Sequence, residues 1–519
     1  MNKILSKNIY LFFFPIISFI GSAYQGQYLY DGYHLSVPII EAKRYLNNEI
    51  PFKDFLVHYG FLKTFLDSYF LKVSGFNIYS FFLVYSLFYS FSIFLISLIT
   101  KKICSFNFAL LVGCCVFFIH PYLLLPWHNY LLFFFLLLYL YLRLFYNYPF
   151  QNLFLGLGYL VSTESFFLIS FLIFFFSISL NFFYEKKNFS FFLKSFLYYF
   201  LPAVFFSIYL VHNNLFYAWV DNNKVIKVVL DTFGLDYSKL LLNFINSIFF
   251  NLNFKSIFNQ PYILVFLIIF IFNIFYFFLI IKINNKIALI SFVALCMSHN
   301  AFYNFQLNKL STGLIIGIIP IAFYLNQIKS INNKIIISFF FFLISFNSRN
   351  FFKDDTNPNF VFNYKTEINF RYDKFVYFNY LKWNKKQWQS YEEFNEKILF
   401  LKKKCNIKLF NNFTSNGFYA LLAYDYFKMN QKLPWFEITN DDTYFNDLFL
   451  NWLNNYEPNI VDNINSFSDE LLIITTSNNY PKLNYKNLNI NFADKFKFIK
   501  LSSYYAKDII ILYPLKCNF

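Results

Sequence analysis

The residues best placed to do chemistry lie in one segment, Gln25 to Asn77, between two apolar runs. Asp31 opens it, a few residues beyond the first run, where a membrane helix would hand the chain over to water. A carboxylate at that boundary is partly desolvated, which raises its basicity. Asp31 therefore reads as a general base for an acceptor hydroxyl at headgroup level. Asp54, His58 and Tyr59 form a second polar cluster further along. Between the two, Val37, Ile39, Ile40 and Tyr45 fall on one side of a helix and Glu41, Lys43, Arg44 and Asn47 on the other. That pattern predicts a helix lying along the membrane surface, its polar side in water.

Other outward turns supply further binding candidates. Glu164, in GYLVSTESFF, is an ionisable residue between apolar runs, where a charge is costly enough to suggest function; the alternative is an interfacial turn capped by Ser162 or Ser165. His120, in FFIHPYLLLPWHNYLL, and its neighbour His128 can contact a phosphate or an acceptor, although interfacial belts use the same residue types. Chemistry that develops negative charge needs cationic groups beside it. Lys309 in HNAFYNFQLNKLSTG is the best placed, with His299 nearby, and Lys224 and Lys227 are weaker candidates.

The elements that must hold these residues are set by composition. The 519 residues are 58% hydrophobic and 14% charged, with a mean hydropathy of +0.43, well below the charge content of soluble domains. The 83 Phe and 43 Tyr against 12 Gly have the look of an AT-rich codon choice, so no aromatic cluster counts as a site merely for being aromatic. The net charge of +16 reflects lysines in short segments between apolar runs, where basic residues orient membrane helices; it does not call for a nucleic-acid partner.

Apolar runs predict spans near Ile9 to Tyr24, Ile78 to Thr100, Phe106 to Ile119, Trp127 to Tyr146, Phe191 to Val211 and Tyr262 to Ile281. Shorter runs follow at Ile287 to Met297, Leu314 to Ile328 and Ile335 to Phe346. The stretch from Leu153 to Phe183 would be roughly 46 Å long as one helix, too long for a single crossing, and is split near Ser162 to Ser165. The fold class expected is mainly α: a polytopic α-helical membrane protein of about eleven spans over residues 1–348. With Lys3 and Lys7 cytoplasmic, that count puts Lys101, Lys102, Arg143, Lys186, Lys187, Lys282, Lys286, Lys329 and Lys334 on the same side. The basic N-terminus followed by an apolar run resembles a signal peptide, but Tyr24, Gln25 and Gln27 stand where small residues would mark cleavage, so an uncleaved first span is expected.

Residues 349–519 are expected to form a small extracytoplasmic α/β domain, because the apolar runs shorten to strand length in NIKLFN, ELLIITT, FKFIKL and DIIILYP, with helix-like stretches such as TYFNDLFLNWLNN between them. No dinucleotide, P-loop or nucleophile-elbow motif occurs in it. Cys104, Cys114, Cys115 and Cys296 lie in or beside apolar runs as small hydrophobes, while Cys405 and Cys517 share the C-terminal domain and can pair if it is in an oxidising compartment.

An Asp-Gly just after the first span, an amphipathic helix, a P-F-x-D-F segment and a Tyr-Gly before the second span together resemble the polytopic glycosyltransferases of the GT-C superfamily, among them the protein O-mannosyltransferases and the aminoarabinose transferases of lipid A. The resemblance covers the first hundred residues best, with an N-N-x-T-like segment, NNFTSNGFYALL, in the C-terminal tail. It implies an inverting transfer from a polyprenyl-phosphate-linked sugar to an acceptor on a glycan, lipid or protein at the outer face of the plasma membrane. Asp31 matches the activating carboxylate, and Asp54 the P-F-x-D-F position, holding the acceptor or the loop. Members often carry a D-x-D or E-x-D pattern here; Tyr33 occupies the second acidic position, so a divalent cation is left open with no such motif to hold it. Two other classes fit a polytopic chain. A transporter or lipid flippase would put charges or broken helices near the midplane, whereas the long runs here are uncharged. An O-antigen ligase or polymerase would work from a large late loop, for which His212 to Gln260 is the available segment.

Overall fold

The computed structural model describes residues 9–27, 35–119, 127–232, 262–298, 311–348, 377, 381, 385–414, 417–432, 464–477, 480, 482–485, 488–502 and 508–517. The helical part comprises α1 (Phe13–Gly26), α2 (Ser36–Leu46), α3 (Phe61–Val73), α4 (Ile78–Ile103), α5 (Phe106–Ile119), α6 (His128–Phe145), α7 (Asn152–Val161), α8 (Thr163–Phe183), α9 (Phe189–His212), α10 (Phe216–Thr232), α11 (Tyr262–Ile280), α12 (Asn285–Met297), α13 (Ile318–Gln327) and α14 (Ile331–Ser348).

Four of these, α4, α6, α8 and α9, are long and apolar enough to cross a bilayer. In α9 only 17% of the apolar window is buried, and Leu193, Leu197, Phe205 and Ile208 on it are exposed. An apolar face of that extent is stable in lipid and a liability in water. Among the described residues there are also six shorter apolar helices, including Tyr10–Tyr24 and Phe106–Ile119. α4 lies centrally, packed against α1, α5 and α6.

Asparagine does much of the punctuation. The side chains of Asn77, Asn188 and Asn284 accept backbone N–H bonds at the starts of α4, α9 and α12, satisfying donors that a helix leaves without intrahelical partners. The long apolar stretch is broken at Ser162, whose φ of −144° and ψ of 82° leave helical space. α7 is therefore about 15 Å long, half the hydrocarbon thickness. A Cβ built on Gly156 would lie 2.3 Å from the Tyr199 carbonyl oxygen, so glycine is what lets α7 and α9 pack this closely.

The C-terminal part contains α15 (Lys385–Lys404), α16 (Gly417–Tyr424) and the strands β1 (Leu409–Asn412), β2 (Lys428–Met429), β3 (Leu471–Thr476), β4 (Lys482–Tyr485), β5 (Leu488–Asn491), β6 (Phe496–Leu501) and β7 (Ile509–Pro514). Five strands form a mixed sheet in the order β2-β1-β3-β7-β6, and β4 and β5 form a separate hairpin. β1 runs parallel to β2 and β3, whereas β7 is antiparallel to β3 and β6. The interior strands β3 and β7 are buried at every residue, which is why their sequences, LLIITT and IIILYP, are continuous rather than alternating. β2 and β6 are the two edges, and Lys497 and Lys500 lie along β6. Cys405 and Cys517 are disulfide-bonded with Cα atoms 5.4 Å apart, tying the end of α15 to the end of the chain.

Candidate functional site

Residues 35–77 fold into two short helices joined by a hydrogen-bonded turn. Phe52 in this turn adopts φ = +70°, an unfavourable conformation for a bulky residue. Neighbouring bonds hold it there. The Phe52 amide donates to the Phe55 carbonyl at 2.9 Å, the Asp54 amide to the Ile50 carbonyl at 2.9 Å, and the Asp54 carboxylate accepts from the Ile50 amide at 2.7 Å. The half-buried Asp54 side chain thus closes its own turn, while its carbonyl accepts from Arg44 at 2.7 Å. Of the two roles expected for Asp54, loop geometry is the one its hydrogen bonds serve.

α2 differs from the expectation of a helix with one side in water. Every residue from Ser36 to Arg44 is buried, including Glu41, Lys43 and Arg44. Its polar residues face protein on both sides. Towards α3, the Glu41 carboxylate accepts from the His58 amide at 3.1 Å and from the Thr64 hydroxyl at 3.2 Å. Both donors are neutral, so burial dominates and pushes this carboxyl up to about 8, with the charge of Lys63 and the two hydrogen bonds opposing. Beside it, Lys63 forms a buried ion pair with Asp67, one helical turn on, and the Tyr85 hydroxyl donates to the same carboxylate. Burial still holds the Asp67 carboxyl above its usual range, against the pull of Lys63.

Towards the C-terminal domain, Lys43 pairs with Asp425 and bonds to the Tyr377 hydroxyl, which itself donates to Asp425 at 2.7 Å. Arg44 donates to the Glu49 carboxylate at 2.8 Å, to the Gln431 carbonyl at 2.7 Å and to the Lys432 carbonyl at 3.3 Å. Tyr424 closes the set by donating to Glu49 at 2.6 Å, and the Leu56 amide donates to the Lys432 carbonyl at 3.3 Å.

The fold gathers rings from two segments distant in sequence. His58 and Tyr59 pack edge to face with centroids 4.6 Å apart, and Tyr59 lies 4.3 Å from His128 at the start of α6. The Lys63 ammonium sits 5.4 Å from the Tyr59 ring centre. Next in the chain, a Cβ on Gly60 would lie 2.3 Å from the Leu160 carbonyl oxygen, so the loop rests on the backbone just before the Ser162 break. Glu164 is the second residue of α8, two residues past that break.

His58, Tyr59 and His128 thus come together, while Asp54 is bonded within its own turn and to Arg44. Asp31, His120 and Lys309 lie outside the described residues, as do His299 and the TYFNDLFLNWLNN stretch. Lys224 is exposed and paired with Asp221 at 2.9 Å. Glu41, Lys63 and Asp67 were not among the expected site residues. The four-residue spacing of Lys63 and Asp67 on a helix was the available signal; for Glu41 the wheel pattern pointed to water. Among the described residues no group of three or more His, Cys, Asp or Glu side chains is arranged to hold a metal ion. No protein-family profile matches the chain, and no curated protein matches it either.

Proposed function

We propose that this protein is an inverting membrane glycosyltransferase that moves a sugar from a polyprenyl-phosphate donor to an acceptor hydroxyl at the outer face of the plasma membrane. The observation that carries the reading is convergence. Tyr59 from the first loop meets His128 from α6 with ring centroids 4.3 Å apart, and His58 packs on Tyr59 at 4.6 Å, beside the break that precedes Glu164. Imidazole and phenol groups at a boundary between apolar helices and a polar domain suit a ligand with a lipid tail and a sugar-phosphate head.

In this reading about eleven apolar segments cross the bilayer with the N-terminus cytoplasmic, and the region from residue 349 lies outside. The disulfide between Cys405 and Cys517 supports that side, since such bonds persist in oxidising compartments. Asp31, four residues before the buried Leu35 that precedes α2, acts as general base and removes the proton of the acceptor hydroxyl as its oxygen attacks the anomeric carbon. The sugar–phosphate bond breaks on the opposite face, and the polyprenyl phosphate leaves with its charge balanced by donors such as His120, His128 and Lys309. Glu164 and the His58–Tyr59 pair hold the sugar or the acceptor.

Replacing Asp31 with Asn tests the assignment. Glycan transfer, read as surface glycan and as accumulation of the polyprenyl-linked sugar by mass spectrometry, falls at least a hundredfold with the protein still inserted. Unaltered transfer sinks the assignment of the base.

A further inference from the structure

α2 is a rigid bar about 16 Å long with polar contacts at both sides. Glu41 holds the backbone of His58 on one side, and Lys43 and Arg44 reach the C-terminal domain on the other. The start of the bar, Ser36, is five residues beyond Asp31 in the chain. A shift of α2 therefore moves the seat of the His58 backbone.

The contacts that fix it are of an unusual kind for simple adhesion. An interface selected only for strength buries apolar surface, because buried ion pairs gain little net free energy after desolvation. Here Lys43 is buried with its ammonium on Asp425 and over the Tyr377 and Tyr424 rings, 4.7 and 5.1 Å from their centres. Arg44 takes two acceptors from the first loop, Glu49 and the Asp54 carbonyl, and two from the C-terminal domain, the carbonyls of Gln431 and Lys432. Its planar fork satisfies all four only when the two parts are in register. Gln431 is held in turn by reciprocal bonds with Asn412 of β1, at 2.9 and 3.0 Å, so the register passes into the sheet.

We propose that the C-terminal domain sets the position of the first loop through α2, with Asp425, Tyr377 and Tyr424 as positioning residues for the site. The consequence for transfer rests on the glycosyltransferase reading; the mechanical part does not.

The test uses the full chain in lipid nanodiscs and three variants: Asp425→Ala, Tyr424→Phe, and the exchanged pair Lys43→Asp with Asp425→Lys. Amide hydrogen exchange of a peptide covering residues 36–46 is expected to rise about tenfold in Asp425→Ala and less in Tyr424→Phe, with α15 unchanged. The exchanged pair is expected to return it to within about threefold of wild type. Surface glycan follows the same order, falling in Asp425→Ala and recovering in the exchanged pair. Unchanged exchange of α2 in both single variants overturns the proposal, and so does an exchanged pair as open as Asp425→Ala. A loosened α2 with full glycan output also overturns the positioning role. Should Asp31→Asn leave glycan intact, the assignment of the base alone falls and hydrogen exchange still decides the mechanical claim.

Discussion

Two buried polar clusters in this protein solve the same problem differently. In one, Arg143 is 5% exposed and donates to the Ser177 hydroxyl at 2.8 Å and to Glu185 at 2.9 Å, while Glu185 keeps 29% of its side chain in solvent. Asn147 adds bonds to Glu185 and to Asn181, and Gln151 bonds to Asn147. Charge here is buried at one end of the pair only. In the first loop, Lys63 and Asp67 are each 2% exposed, and Glu41 beside them meets neutral donors. The first arrangement joins α6 to α8 at little electrostatic cost. The second keeps an excess of acid away from water beside residues proposed to handle a sugar phosphate, as sites that tune protonation do.

The largest expected effect sharpens that contrast. Lys63→Met leaves Asp67 and Glu41 buried without a cation and costs about 3–5 kcal/mol, whereas Arg143→Met costs about 1–2 kcal/mol because Glu185 can turn to water. Thermal unfolding in one detergent compares the two, and equal losses would erase the distinction.

Next is pH. Glu41 has a raised carboxyl, so below about 4.5 the folded and unfolded chains both carry its proton and no penalty arises. Between about 4.5 and 8 the unfolded chain gives up the proton while the folded chain retains it. Stability is therefore lost as pH rises through that window, by at most about 1.4 kcal/mol per pH unit, and the loss is complete above it. Glu41→Gln retains an acceptor for the His58 amide and removes this dependence. Melting temperatures at pH 5, 6.5 and 8 should show a shallower slope in the variant; parallel curves would mean that Glu41 stays ionised throughout.

The smallest effect concerns the turn. Asp54→Ala removes the acceptor of the Ile50 amide and is expected to cost about 1 kcal/mol. If Asp54 only closes the turn, Asp54→Asn, which retains an acceptor oxygen, preserves glycan transfer. A variant of normal stability that cannot transfer would instead give the carboxylate a direct role at the acceptor.

Much of the framework was legible in the residues. Long uncharged runs predict apolar helices because bilayer thickness sets their length, and helices occupy those positions. The break expected near Ser162 to Ser165 falls at Ser162; the strand-like runs ELLIITT, FKFIKL and DIIILYP contain β3, β6 and β7, and NIKLFN holds all of β1 but Asn412. Length alone does not settle eleven crossings, since α7 and the other short helices fall below a full span.

What sequence could decide by itself was local: where the chain is apolar, where it breaks, and that within residues 1–348 the ionisable groups gather in the first loop. Those properties follow from solvent preference and backbone geometry over a few neighbouring residues. Whether the polar side of α2 meets water or protein was settled by Tyr377, Asp425 and Gln431, more than 330 residues away. A helical wheel records which residues share a side and says nothing of what will cover it. Tertiary packing turned Glu41 from a solvated acid into a buried one, and set His128 against Tyr59.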